Sequence, residues 1–312
     1  MRRGNGMSWV FLGAFLWGTA GLVGKVLIVR HGLDSMVVGA WRLVFSVPFL
    51  VTAALLERKR HPGRLRERGR PTGWLLLFGL AVAGYQVGYF SAVDRTQVAT
   101  ATMLAVCTAP LMVAVFARVF MKERIGGWTA VSLVAGLTGT LLLIGVGSVA
   151  GLAEPRYLSG NLLALFAASC YGGYTLIGKH LLAGIPPFRM LAITFSLGAC
   201  FLLPMLRMPE PSLEAWLLLL YVGAVPTALA YLCYIYGLKR TTATRASIGA
   251  LTEPLTAALL AVLLLGERLT ALGWAGAGLL FSSLALMQWT AGENRNEAPA
   301  KTGGLESGPA RK

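Results

Sequence analysis

Ten apolar runs follow one another along this chain, each close to the length that carries a helix through a bilayer, with short polar connections between them. They fall at about 8–28, 34–56, 72–93, 98–120, 127–146, 160–182, 187–206, 213–237, 244–265 and 271–291. A hydrocarbon core ~30 Å thick accepts ~20 residues of helix at ~1.5 Å rise per residue. No water is present there to satisfy a loop or an open sheet edge, so each run must close its backbone hydrogen bonds internally, as a helix. With 56% hydrophobic residues, 13% charged residues and a mean hydropathy of +0.66, the expected fold is an all-α integral membrane protein with ten transmembrane helices.

Basic residues then set the orientation. The connection ERKRHPGRLRERGRP (57–71) carries seven Arg or Lys residues and belongs in the cytoplasm. With it inside, ten crossings leave both termini cytoplasmic. Lys25, Arg30, Arg95, Arg156, Arg207 and Arg268 fall outside, Arg42 falls within the membrane, and the rest of the 28 basic residues lie inside. The net charge of +15 is therefore a topology signal; no recognition module accompanies it, and no nucleic-acid partner is expected. The first run follows the basic Met1–Gly6 without a cleavage site and is expected to be retained as a helix. Residues 292–312, rich in Gly, Pro, Glu, Asn and Lys, are expected to form a disordered cytoplasmic tail.

The ninth run departs from plain apolarity. In TRASIGALTEPLTAALLAVLLLGERLT (244–270) it buries Glu253 and Pro254, a carboxylate and a helix breaker that lipid would not tolerate, so this helix should face protein or a wet cavity. It also has an earlier counterpart. Pro110 precedes Glu123-Arg124 by the same 13 residues that separate Pro254 from Glu267-Arg268. WGTAGLVGK (17–25) aligns with YGGYTLIGK (171–179), YFSAVDRT (89–96) with YIYGLKRT (234–241), and Gly127-Trp128 with Gly273-Trp274. The repeat unit, 8–146 and again 160–291, spans five helices. An odd number makes the second copy enter the membrane upside down, giving two inverted five-helix repeats around a midplane site.

These twin units, the two Gly-Lys steps and above all EPLTAALLAVLLLGERLT (253–270) resemble the drug/metabolite transporter superfamily, in particular its EamA-type ten-helix members. The likeness runs from about residue 8 to 291. It implies a bundle that moves small metabolites or amphipathic compounds across the inner membrane, usually outward, without a nucleotide-binding domain. One departure is notable: Ala109 stands in the first repeat where Glu253 stands in the second.

Several residues are candidates for the site, each with a plainer reading beside it. Arg42 lies ~12 Å inside the outer edge of the membrane, where a bare charge costs between ~2.5 and ~10 kcal/mol. It is either an anchor for an anionic substrate group or a structural clamp. Glu253, ~13.5 Å from the inner edge, lies at a similar depth. It either carries a proton, the candidate coupling ion, or caps backbone groups freed by Pro254. Lys25 and Lys179, at helix ends on opposite sides, either snorkel to the interface or make gating contacts with a carboxylate. Glu123 and Glu267 are expected to pair with the adjacent Arg124 and Arg268 or to act as caps. Trp17, Tyr85, Tyr89, Tyr171, Tyr174, Tyr231 and Tyr234 lie within helices and not only at the interfaces. With Gln86 they suit a cavity for flat or apolar ligands, or else helix packing.

Enzyme chemistry finds little footing. His31, His61 and His180 sit in loops or at helix ends without metal-ligand spacing, the four cysteines lie in apolar runs without paired spacing, and no phosphate-binding loop occurs. No metal or cofactor is expected. The reading is an inner-membrane secondary transporter, most simply an exporter of small metabolites, amino acids or amphipathic drugs working by alternating access. An importer or facilitator of similar solutes is the alternative, and a membrane-embedded lipid-modifying enzyme is the alternative of another class. The implied partners are the small-molecule substrate and the lipid bilayer.

Overall fold

A computed structural model describes residues 6–60, 72–208 and 212–296. Residues 61–71 of the basic connection and 297–312 of the tail lie outside the described residues. The elements are α1 (Gly6–His31), α2 (Ser35–Arg60), α3 (Thr72–Val93), α4 (Val98–Phe120), α5 (Gly127–Ile144), α6 (Leu158–Leu181), α7 (Pro187–Leu202), α8 (Leu213–Gly223), α9 (Ala230–Leu238), α10 (Ala243–Gly249), α11 (Thr252–Leu265) and α12 (Ala271–Asn296). The last of these runs past the apolar stretch through Asn296. Among the described residues, ten helical segments are long and apolar enough to cross a membrane; α8 with α9, and α10 with α11, each make up one. The protein is a multi-pass membrane protein, and its outer faces carry the apolar side chains that lipid requires: Phe15, Leu77, Val119, Leu263 and Phe281 are all exposed.

The packing has an exchange symmetry. Crossing one (α1) packs on crossings eight and nine (α9, α11), while crossing six (α6) packs on three and four (α3, α4). Crossing two pairs with seven (α2, α7) and five with ten (α5, α12). Swapping the first five crossings for the last five maps this set of pairings onto itself. In the α5–α12 contact the backbones nearly touch: a Cβ on Gly139 would come 2.7 Å from Leu280 N, and one on Gly276 would come 2.7 Å from Gly139 O. Small residues of this kind are what let membrane helices pack closely where lipid gives no hydrophobic drive.

Four prolines act on their helices in three different ways. Pro110 sits inside an α4 that continues through it, as Pro48 does in α2. Pro254 falls in the first turn of α11, and the ninth crossing is broken just ahead of it. Its ring cannot sit against the carbonyl of Ala250, four residues back, and it has no N–H to offer that carbonyl. The local backbone tightens instead: Glu253 N donates to Ala250 O at 2.9 Å, Leu251 N to Ile248 O at 3.0 Å, and Thr252 Oγ1 to Gly249 O at 2.8 Å. Pro226 has a third effect. It lies in a π-helical turn, Ala224–Leu229, that joins α8 to α9 without ending the crossing.

Candidate functional site

Seven aromatic side chains singled out by the sequence converge from α1, α3, α6 and α9. Trp17 meets Tyr231 edge-on at 4.9 Å between ring centroids and Tyr234 at 4.8 Å. Tyr171 and Tyr174 lie 5.0 Å apart, and both face Tyr85, at 6.4 and 6.3 Å. Tyr85 and Tyr89 stack in nearly parallel planes at 6.1 Å, the four-residue spacing placing both on one face of α3. Two hydroxyl pairs tie α6 to α9: Tyr171 with Tyr234 at 3.3 Å and Tyr174 with Tyr231 at 3.4 Å. Tyr89 reaches Thr102 on α4 at 3.0 Å.

Within the cluster there is a gradient of burial. Tyr234 and Tyr174 are 1% and 3% exposed and pack as core, whereas Tyr85 and Tyr89 are only partly buried and present ring surface. Trp17 is buried, and its Nε1 is a donor without a partner among the described residues. Such a group costs on the order of 1–3 kcal/mol while it stays unpaired. Gln86 is buried on the same helix as Tyr85 but shares no hydrogen bond or ring contact with this group among the described residues.

Arg42 and Glu253 stand beside the aromatics. Arg42, on α2, donates from Nε to Thr227 Oγ1 at 3.1 Å. The carboxylate of Glu253, in the first turn of α11, lies in electrostatic reach of Arg42 and of the Tyr85, Tyr89, Tyr171 and Tyr231 hydroxyls. Arg42 and Glu253 do not form an ion pair within 4.0 Å, and neither the Arg42 terminal nitrogens nor the Glu253 carboxylate bonds to another described residue. So the Glu253 side chain does not cap the backbone opened by Pro254; the Glu253 backbone N–H takes Ala250 O, and Thr252 Oγ1 takes Gly249 O. The first turn of α11 is also the end of that helix where a negative group is favoured by the helix dipole.

The lysines behave as an unequal pair. Lys25 Nζ meets Glu267 Oε1 at 2.6 Å beyond the end of α11. Lys179, its counterpart in the second repeat, donates instead to the carbonyls of Leu238, at 2.7 Å, and Thr241 at the end of α9. Glu123, the counterpart of Glu267, accepts from Ala243 N (2.8 Å), Thr244 N (3.2 Å) and Thr244 Oγ1 (3.0 Å), and so caps α10. Among the described residues neither acid pairs with its neighbouring arginine; Glu123 takes the capping role that the sequence left open, Glu267 an ion pair, and each reaches across to the other half of the chain.

Thr227, Thr102 and Phe195 complete the surroundings and were not singled out from the sequence. Phe195, on α7, meets Tyr231 at 4.6 Å. A lone threonine or phenylalanine in an apolar run carries no signal until its neighbours are known.

The profile of the EamA-like transporter family matches the chain twice, over residues 4–145 and 158–289. The chain is 31% identical over 295 residues to the uncharacterized transporter YwfM of Bacillus subtilis, covering 91% of this chain and 94% of that protein. It is 28% identical over 291 residues to the uncharacterized inner membrane transporter YicL of Salmonella typhimurium, covering 91% and 95%. Over 212 residues it is 28% identical to a protein of Brucella anthropi named riboflavin transporter, covering 64% and 69%. A solved structure titled only as a crystal structure of a protein superposes with a TM-score of 0.76 at 21% identity, over 96% of this chain and 99% of that one, so the fold is shared.

Proposed function

The chain belongs to the EamA-like transporter family, and on that premise we propose that it is a secondary exporter of small, flat metabolites or amphipathic compounds. In this reading it sits in the inner membrane with both termini in the cytoplasm, and its halves, 8–146 and 160–291, are threaded in opposite senses. The observation that carries the proposal is the convergence of both halves on one place: α1 and α3 from the first, α6 and α9 from the second, bring aromatic rings together beside Arg42 and Glu253. Rings that orient a flat solute, a cation that attracts an anionic group and an acid able to take up a proton are the parts an alternating-access carrier needs.

The role of each residue follows from this site. Trp17, Tyr85, Tyr89, Tyr171 and Tyr231, with Gln86, form the substrate surface, backed by the core rings of Tyr174 and Tyr234; Arg42 supplies charge complementarity. Glu253 carries the coupling proton, and the break ahead of Pro254 lets α11 move relative to α10. Lys25 with Glu267 closes one side, while Lys179 and Glu123, engaged elsewhere, are the matching elements on the other. A relative named for riboflavin, a flat heteroaromatic compound, supports the ring-lined site, and transporter names among the relatives support carriage over lipid-modifying chemistry. Outward direction rests on the superfamily resemblance.

The experiment is a resistance screen. Cells overproducing the protein are challenged with a panel of toxic metabolite analogues, beside cells producing Arg42→Ala. A compound tolerated only with the wild type names the solute, and its accumulation in everted vesicles establishes export. Accumulation in right-side-out vesicles instead would overturn the direction.

A further inference from the structure

We infer that Thr227 is a positioning residue that holds the guanidinium of Arg42 edge-on, so that its two terminal nitrogens present a fork to a planar anion and select flat carboxylates over their neutral isosteres. The inference rests on the transporter reading above and specifies the substrate class of that site.

The chain of causes begins with a proline. Pro226 has no N–H, so the carbonyl four residues before it, that of Val222, loses its ordinary helical donor. The hydroxyl of Thr227 takes the vacancy, donating to Val222 O at 2.8 Å. A threonine hydroxyl has one proton, and a carbonyl can only accept; with that proton committed, the Thr227 oxygen has only lone pairs to offer. Arg42 Nε fills one of them at 3.1 Å. The π-helical turn is thus the device that fixes a threonine acceptor at a buried position, 0% exposed, on the wall beside α2.

The approach of the two helices at this level is enforced by Gly223. A Cβ there would come 2.4 Å from Phe45 Cβ and 3.2 Å from the carbonyl oxygen of Arg42, so the end of α8 lies directly against the turn of α2 that carries Arg42. Position and direction of the guanidinium are both set by the eighth crossing. The guanidinium is planar and offers parallel donors that match both oxygens of a carboxylate. With Nε taken, the edge that remains is the one formed by Nη1 and Nη2, which bond to none of the described residues. The Arg42 charge is in electrostatic reach of Tyr85 and Tyr231. A carboxylate at the fork therefore places a flat ring system near the stacked tyrosines.

The test uses the purified full-length protein and radiolabelled indole-3-acetate, with unlabelled indole-3-acetamide as competitor: the two share a ring and a size and differ by one charge. The wild type is expected to bind the acetate at least about tenfold more tightly than the amide, a gap of ~1.4 kcal/mol. Thr227→Val, which keeps the shape and removes the hydroxyl, is expected to lower acetate affinity about tenfold and leave amide binding unchanged; Thr227→Ser restores it. On an Arg42→Ala background Thr227→Val is expected to have no further effect, because the threonine acts through the arginine. A purely structural role would weaken both ligands alike and persist in the double variant. Acetate binding by Thr227→Val equal to wild type overturns the positioning role. No preference for acetate over amide in the wild type overturns the substrate class, and the resistance screen then decides separately whether the protein transports at all.

Discussion

The ammonium of Lys25 and the carboxylate of Glu267 stand 2.6 Å apart across 242 residues of sequence, joining crossing one to the far end of crossing nine. Their counterparts in the other half, Lys179 and Glu123, are in electrostatic reach of each other yet each is bonded elsewhere. One of the two related pairs is joined as an ion pair and the other is not.

The gate proposed at Lys25–Glu267 has a distinctive signature on mutation. The Lys25–Glu267 side chains are 55% and 48% exposed, so the pair contributes at most ~1 kcal/mol to stability. Lys25→Met is therefore expected to leave the melting temperature in detergent nearly unchanged while altering the transport rate in proteoliposomes. Combining Lys25→Glu with Glu267→Lys should restore the rate that either change alone impairs.

Replacing Glu253 with Gln removes the only acidic group placed beside the aromatic cluster among the described residues. Glutamine keeps the size and cannot take up a proton. Uptake driven by a pH gradient into everted vesicles should be abolished, whereas counterflow exchange of labelled for unlabelled solute should continue. If gradient-driven uptake survives, the proton is carried by another group.

Glu123 serves a different end and should respond differently. Its carboxylate accepts three hydrogen bonds at the start of α10, and hydrogen bonds to charged acceptors are the strong ones. Glu123→Ala is expected to destabilise the fold by ~2 kcal/mol, because the helix N–H groups lose their acceptor. Thermal unfolding in detergent measures this, with Glu123→Gln falling between the two.

The aromatic cluster divides by burial. Tyr85, partly buried and stacked on Tyr89, should tolerate replacement by Ala in the fold but raise KM for a flat solute about tenfold, the worth of one ring contact. Tyr234, 1% exposed, should lose ~3–5 kcal/mol on the same change, as other large buried rings do. A Tyr85→Ala protein with wild-type KM would assign that ring to packing.

Gly18 lies against the first turn of α11, where a Cβ would come 2.5 Å from Thr256 Cβ and 2.8 Å from Glu253 O. Gly18→Ala is expected to cost ~1–3 kcal/mol by overpacking. It should also slow transport beyond what that loss explains, since it presses on the backbone that carries Glu253. Comparison with Gly24→Ala, where nothing lies within 4 Å, isolates the contact.

The ten crossings were legible because the bilayer leaves an apolar run of ~20 residues one solution, the helix: run length and hydropathy alone mark each one. The aromatic cluster was legible in part, since three- and four-residue spacings place Tyr85 with Tyr89, and Tyr231 with Tyr234, on shared faces. What escaped was everything that depends on which crossing lies beside which. Glu123 and Glu267 each have an arginine next door in sequence, and both bind instead to the opposite half. Thr227 gave no sign of reaching Arg42, because the π-helical turn that aims it is visible only once Val222 is seen to lose its donor. Pro110 and Pro254 look equivalent on paper; the bundle runs straight through the first and breaks at the second.

That last inequality reaches further than one bend. The two halves pack by the same scheme, but among the described residues the break at Ala250 and Leu251 has no counterpart in the first half, where α4 runs on through Pro110. A molecule with a joint on one limb alone is not carried onto itself by a half-turn that exchanges its two halves. A solute held between the halves therefore has a jointed helix on one flank and an unbroken one on the other.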